Sequence, residues 1–361
     1  MNTRLTHREK ISAVLGAALA LLGLGWFRLS AFLGPSAGWM RQAGLAVGGA
    51  LCRLWRLVPF PVSELVWIGG VAAALGVVLY CTCTLRRGLW GFAGALCRLV
   101  LAGGVMLALF SFVFLVQYSA PPLSEELGLE VEEYTPAQLA DVAGLVAGEL
   151  NKYADMVPRD GDGLFAPAGY DALAAAVGRS YAQGSLQRLY ARGTGIAPKQ
   201  GVLLSRAMSY LSITGYYFPL TGESIVSGDL IETSIPFTIA HEAAHAFGVG
   251  PEKEANFAAF LCCIQSEDPE VCYSGFFNGY IYLNNALYRT DRTLWQSVYD
   301  TLSQPVRDDL AAKSRYLARY EGPVNEFGSS VNNAYIQATG QPDGVQSYGR
   351  MVDLMMAWYL Q

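Results

Sequence analysis

Ser234-Ile235-Pro236-Phe237-Thr238-Ile239-Ala240-His241-Glu242-Ala243-Ala244-His245-Ala246-Phe247-Gly248 is the stretch on which the reading of this chain turns. Proline near the first turn and glycine past the end bracket a helix over Phe237–Phe247. Residues i and i+4 share a helix face, so His241 and His245 can reach one ion, with Glu242 beside them. The chain has only 3 histidines, and 2 of them are used here. Two imidazoles four apart with a glutamate between them have the spacing at which both rings can share a zinc ion while the glutamate serves as general base toward its water.

A tetrahedral zinc centre needs a third protein ligand. The remaining histidine, His7, lies in the N-terminal tail, so the third ligand must be a carboxylate or a thiolate. Gly248-Val249-Gly250-Pro251 ends the first helix and opens the next, expected from Glu252 to about Ile264. That second helix begins Glu252-Lys253-Glu254-Ala255-Asn256 and offers two carboxylates. Cys262 and Cys263 sit deep in its apolar stretch and are less suited. They leave two readings: one pairs with Cys272 in an oxidising compartment, or all three are buried thiols.

Upstream, the composition changes character. The chain of 361 residues is 52% hydrophobic and only 15% charged, too apolar for an ordinary soluble enzyme. Residues 1–118 carry 10 Lys/Arg against Glu9 and Glu64, whereas residues 119–361 carry 15 against 28 acids. Three apolar runs have the length of a span, at about 11–33, 65–85 and 99–118. The first is read as retained rather than as a signal peptide, because it is long and no small-x-small cleavage site follows. Between the first two, residues 38–57 hold a short apolar core between arginines, which suits a helix in the interface. Pro59-Phe60-Pro61 then turns the chain back.

Arg4, Arg8, Lys10, Arg86, Arg87 and Arg98 fall at one end of the spans, and Arg28, Arg41, Arg53 and Arg56 at the other. The positive-inside rule therefore puts the remainder of the chain outside the cytoplasm. Its acidity argues against nucleic acid as a partner. The expected partners are the lipid bilayer and a peptide or protein substrate; oligomeric state cannot be read from the sequence.

Beyond a linker at 119–134, residues 135–361 read as a mostly α-helical α+β domain with a small sheet. Thr135-Pro136 opens a helix to about Tyr153, and a second runs from about Ala168 to Tyr190. Val202-Leu203-Leu204 reads as a short buried strand. Tyr216–Val226 reads as a strand or hairpin, with Glu223–Val226 the candidate edge to which a substrate backbone would add; an ordinary structural hairpin is the alternative. The last hundred residues read as helices. With both usable histidines committed, an oxyanion would need Tyr216, Tyr217, Tyr348 or Arg350.

His-Glu-x-x-His followed by Glu-x-x-Ala-Asn resembles the gluzincin-type peptidases. That resemblance implies Glu252 as the third zinc ligand and Asn256 as its possible partner. The spacing after His245 is shorter than is usual there, which keeps Glu254 open. A wider set of segments resembles an uncharacterised bacterial family of predicted membrane-bound zinc peptidases. It comprises Tyr217-Phe218-Pro219-Leu220-Thr221-Gly222-Glu223, the histidine helix, Glu254-Ala255-Asn256-Phe257, Tyr273-Ser274-Gly275 and Gly344–Asp353. The layout implied is three N-terminal spans and a zincin-like metallopeptidase domain. A non-catalytic, membrane-tethered binding or sensor module on the same scaffold is an alternative, against which intact Glu242 argues.

Overall fold

The structure is a computed structural model that describes residues 4–85, 89–193, 195, 197–338 and 349–361. It is mostly helical, with one three-stranded sheet. The chain forms two compact units. Met1–Ala120 and Phe218–Glu223 make the first, Pro121–Tyr217 and Ser224–Gln361 the second.

The first unit contains α1 (His7–Leu33), α2 (Gly38–Trp55), α3 (Val62–Leu85) and α4 (Leu89–Val113). Three stretches are long and apolar enough to cross a membrane: His7–Trp55, Val62–Leu85 and Leu89–Val113. Within the first, a 3-10 turn at Gly34–Ala37 separates α1 from α2. Thr6 and Glu9 form a capping box at the head of α1. Helices α1 and α4 run parallel, because Glu9 meets Gly94, Gly16 meets Leu101 and Gly104, and Gly23 meets Ala108. A Cβ on Gly104 would lie 2.0 Å from the Gly16 carbonyl oxygen, so this approach needs glycine on both sides. Two parallel helices with α3 between them fit an odd number of crossings.

The third span starts earlier than the apolar run suggested, at Leu89 instead of 99, and ends at Val113 with a 3-10 turn to Ser119. Arg98 therefore lies inside α4 and not in a loop. Its charge is matched there by Glu9 at 3.4 Å and the Tyr80 hydroxyl at 2.7 Å, contacts that a hydropathy window cannot see. Arg86 and Arg87 lie outside the described residues.

Phe218–Glu223, far along the chain, belongs to this first unit. The Glu223 carboxylate accepts from the backbone N–H of Val62 at 3.2 Å and of Ser63 at 2.8 Å, capping α3 where orphan amides and the helix dipole favour an anion. Phe218 packs on Trp67 with the rings tilted at 45° and centroids 5.7 Å apart.

The second unit continues with α5 (Leu123–Leu127), α6 (Pro136–Ala154), α7 (Tyr170–Gln183), α8 (Gln187–Arg192) and α9 (Ser205–Tyr210). After these come α10 (Ile235–Ala246), α11 (Glu252–Ile264), α12 (Pro269–Thr290), α13 (Arg292–Tyr299), α14 (Gln304–Ala318), α15 (Pro323–Ala338) and α16 (Gly349–Leu360). Helices α6, α7, α10, α11 and α12 share one core with Tyr181, Phe257, Phe260, Tyr273 and Phe277 at its centre. The helix expected over Ala168–Tyr190 is interrupted after Gln183, where Gly184 packs so closely on the Gln265 side chain that a Cβ would lie 2.6 Å from its oxygen.

The sheet runs in the order β1 (Lys199–Gln200), β3 (Glu223–Val226), β2 (Gly215–Phe218). β1 is parallel to β3, pairing Lys199 with Ile225 and Gln200 with Val226. Two sequence expectations fail here. Val202-Leu203-Leu204 is no strand: Val202 and Leu203 are exposed, and the strand lies just before them. Glu223–Val226 is the central strand, flanked on both sides, so it offers no free edge to a peptide. Its four residues are all buried, and an apolar-rich run gives no sign of which strand the fold places in the middle.

One buried charge pins the second unit. Asp309, 1% exposed, accepts from Arg159 at 3.1 Å, from the Phe165 N–H at 3.0 Å and from the Tyr273 hydroxyl. Asp309→Ala would strand the Arg159 guanidinium and two further donors. It is expected to cost about 3–5 kcal/mol, read as a lower unfolding midpoint of the detergent-solubilised chain.

Candidate metal centre

Helix α10 starts after a 3-10 turn, Glu232–Ser234, with Pro236 in its first turn. Its apolar residues Phe237, Ile239, Ala240, Ala243 and Ala244 are buried, which fixes the rotation of the helix and so the direction of the histidine face. Tyr181 and Ser224 donate to the Ala240 and Glu242 carbonyls at 2.8 Å each. At the C-terminus, Gly248 has φ +94°, a conformation that a side chain disfavours. The turn it allows brings α11 back across the end of α10.

That reversal sets Glu252 against both histidines. His241 Nε2 is 3.2 Å from Glu252 Oε2 and His245 Nε2 is 3.5 Å from Oε1, while the two Nε2 atoms are 3.2 Å apart. Glu254, the alternative ligand, is elsewhere: it is buried and accepts from the Leu123 backbone, and burial pushes its carboxyl up to about 7. His241, His245 and Glu252 are thus a group able to hold a metal ion, with donor atoms within 4.8 Å of one another. Ligands bound at 2.0–2.1 Å around a tetrahedral ion stand about 3.3 Å apart. The observed spacings match that edge length. Two imidazole nitrogens turned toward each other at 3.2 Å would repel through their lone pairs without a proton or a cation between them. The residues present fit the metal.

One of the two histidines is also held in the tautomer a metal needs. His245 Nδ1 sits 2.7 Å from the Val249 carbonyl oxygen; donating there leaves Nε2 as the lone-pair nitrogen. His241 Nδ1 is buried without a partner among the described residues. Asn256 is buried too, and its Nδ2 finds no acceptor among the described residues, so the expected bond from Asn256 to Glu252 is not formed.

Glu242 is 2% exposed, and its Oε2 has no partner among the described residues. Burial pushes its carboxyl up to about 7, against the opposing pull of the two histidines. Room for it depends on Gly215 at the start of β2, where a Cβ would lie 2.5 Å from Glu242 Oε1. Burial works against the charged form of His245, yet Glu252 prevails and the ring is raised to about 9. Burial alone would raise Glu252 too, but His245 and His241 hold it well below the usual carboxylate range.

The metal-free His245 therefore carries a proton at pH 7, and a metal must displace it. Zinc uptake at pH 7 is expected to release about one proton, and affinity to fall about tenfold for each unit of pH below 9. Calorimetry in buffers of different ionisation enthalpy measures the proton directly.

Of the oxyanion candidates, Tyr216 and Tyr217 lie on β2, half-buried. Tyr348 and the side chain of Arg350 lie outside the described residues. Tyr170, at the head of α7, was missed: its phenol donates to the Pro198 carbonyl at 3.0 Å and lies within the field of Glu242. Nothing local in the sequence marks it. Cys262, Cys263 and Cys272 form no disulfide with one another.

The family model described as "Protein of unknown function (DUF3810)" matches residues 46–356. No curated protein and no solved structure matches the chain.

Proposed function

Given that the chain belongs to DUF3810, a family whose description assigns no activity, we propose that it is a membrane-anchored zinc metallopeptidase of zincin-like fold. The observation that carries this reading is the set of spacings among His241, His245 and Glu252, with Glu242 buried beside them. His241, His245 and Glu252 would hold Zn2+, which when bound polarises a peptide carbonyl and acidifies water.

The other roles belong to the chain's own residues. Glu242 has a carboxyl raised to about 7, so near neutral pH it can take a proton from water and return it to the leaving amine. Its place in a dry site strengthens every charge interaction with the reacting groups. β2 lies at the edge of the sheet, and Gly215 opens it against Glu242. An extended substrate would add to β2, which replaces Glu223–Val226 in that role. Successive residues of a strand face opposite sides, so only one of Tyr216 and Tyr217 can turn its hydroxyl to the site. The distribution of basic residues supports a position of the proposed catalytic domain outside the cytoplasm.

The test is to purify the full chain, determine its zinc by elemental analysis and offer it a peptide library. Near one zinc per chain with chelator-sensitive cleavage supports the reading. A folded, zinc-loaded chain that cleaves nothing leaves the non-catalytic binding or sensor module in its place.

A further inference from the structure

We infer that the second unit carries a lipid-contacting surface of its own, made by one face of α15 together with the turn after α9 and the end of α14. On α15, Val324, Phe327 and Val331 recur at i, i+3 and i+7, which is one helix face, and Phe327 is 66% exposed. Tyr210 and Ile213 beside α9 and Leu317 near the end of α14 are exposed as well.

These residues form a single surface. Asn325 Nδ2 donates to the Ser212 hydroxyl, and Gly328 packs on Leu211 so tightly that a Cβ would lie 2.6 Å from the Leu211 oxygen. Tyr210 meets Tyr320 edge to face at 5.0 Å. Single exposed apolar residues are ordinary; a repeated helix face continued by two neighbouring segments is not.

The occupant follows from composition and chain path. Aliphatic and Phe side chains bordered by tyrosines and arginines are the make-up of a membrane-interface belt. Tyr210, Tyr316 and Tyr320 supply the phenols, and Arg206, Arg315 and Arg319 are exposed around them. The acids nearby are Glu321 and Glu326, which are exposed, and Asp229, which accepts from Ser209 and from Tyr320 at 2.6 Å. Five residues beyond Ile213, at Phe218, the chain enters the unit that holds the apolar helices. A protein carrying helices of spanning length has a bilayer at hand, and a surface of this make-up is matched by lipid. The mode is that of a peripheral interfacial contact, in which the apolar face is buried about 5–10 Å into the headgroup boundary.

Photocrosslinking of the full chain decides it. p-Benzoylphenylalanine is placed at 327, at 288 as an exposed position off this surface, and at 78 on α3 as a lipid-facing reference. Each variant is illuminated in nanodiscs of phosphatidylcholine and phosphatidylglycerol and read by mass spectrometry. Lipid adducts at 78 and 327 without adducts at 288 are the expected result. Lipid adduct at 78 with none at 327 would overturn the inference, as would equal labelling at 288. Crosslinks from 327 to a second chain would assign the surface to self-association instead.

Discussion

Glu242→Gln is expected to leave zinc near one per chain and to lower peptide hydrolysis by about 10²–10⁴-fold. The substitution keeps the shape and burial of the side chain, so the helix and the space against Gly215 are retained. What it removes is the ability to accept and return a proton. Glu242 is not one of the three ligand-type residues, so metal content has no reason to fall. The wild-type pH profile of kcat/KM provides a second readout. Metal binding withdraws His245 from titration, so the acid limb would report the Glu242 carboxyl, raised by burial to about 7 in the metal-free chain. A bound cation lowers a carboxyl, which places the limb at or below that value. Activity therefore falls on the acid side as Glu242 takes up its proton. If Glu242→Gln turned over a confirmed substrate at the wild-type rate, the general-base assignment would be wrong, whatever the metal content.

How much of this was legible beforehand differs by the kind of signal. The histidine helix was readable because proline, glycine and the i, i+4 spacing are local, and α11 was placed correctly from Glu252 to Ile264 for the same reason. The apolar helices were readable as runs, but not their ends: Arg98 interrupts the hydropathy of α4 while Glu9 and Tyr80 satisfy its charge. Sheet order was illegible, since it depends on which segment β1 pairs with, some twenty-five residues away. The capping of α3 by Glu223 joins positions about 160 residues apart, and no periodicity carries such information. The choice between Glu252 and Glu254 also lay beyond sequence. Two glutamates two apart on a helix point about 200° away from each other, so the turn at Gly248 decides which one faces the histidines.

That choice sets the second large effect. Glu252→Ala is expected to reduce bound zinc from near one per chain to a small fraction under a competing chelator, and Glu254→Ala to leave it unchanged. His245→Ala should match Glu252→Ala, because each supplies one of the three donors that stand 3.2–3.5 Å apart. Removing one of three protein ligands leaves two, too few for a stable zinc site with one position held by water. Folding provides the control that separates metal loss from collapse. In the metal-free chain the raised His245 and the lowered Glu252 stabilise the fold as a pair. The His245 part is complete below its unfolded value of about 6.5 and is lost as pH rises through 9; the Glu252 part is complete above about 4.5 and is lost in acid. Glu252→Ala removes this pairing and leaves His241 and His245 side by side, so its unfolding midpoint should drop most between about pH 5 and 6.5. Glu254 touches neither histidine, and burial raises its carboxyl to about 7, so removing it cannot weaken that pair. A chain that lost zinc on Glu254→Ala but kept it on Glu252→Ala would contradict the geometry of α10 and α11 and move the third ligand two residues along the helix.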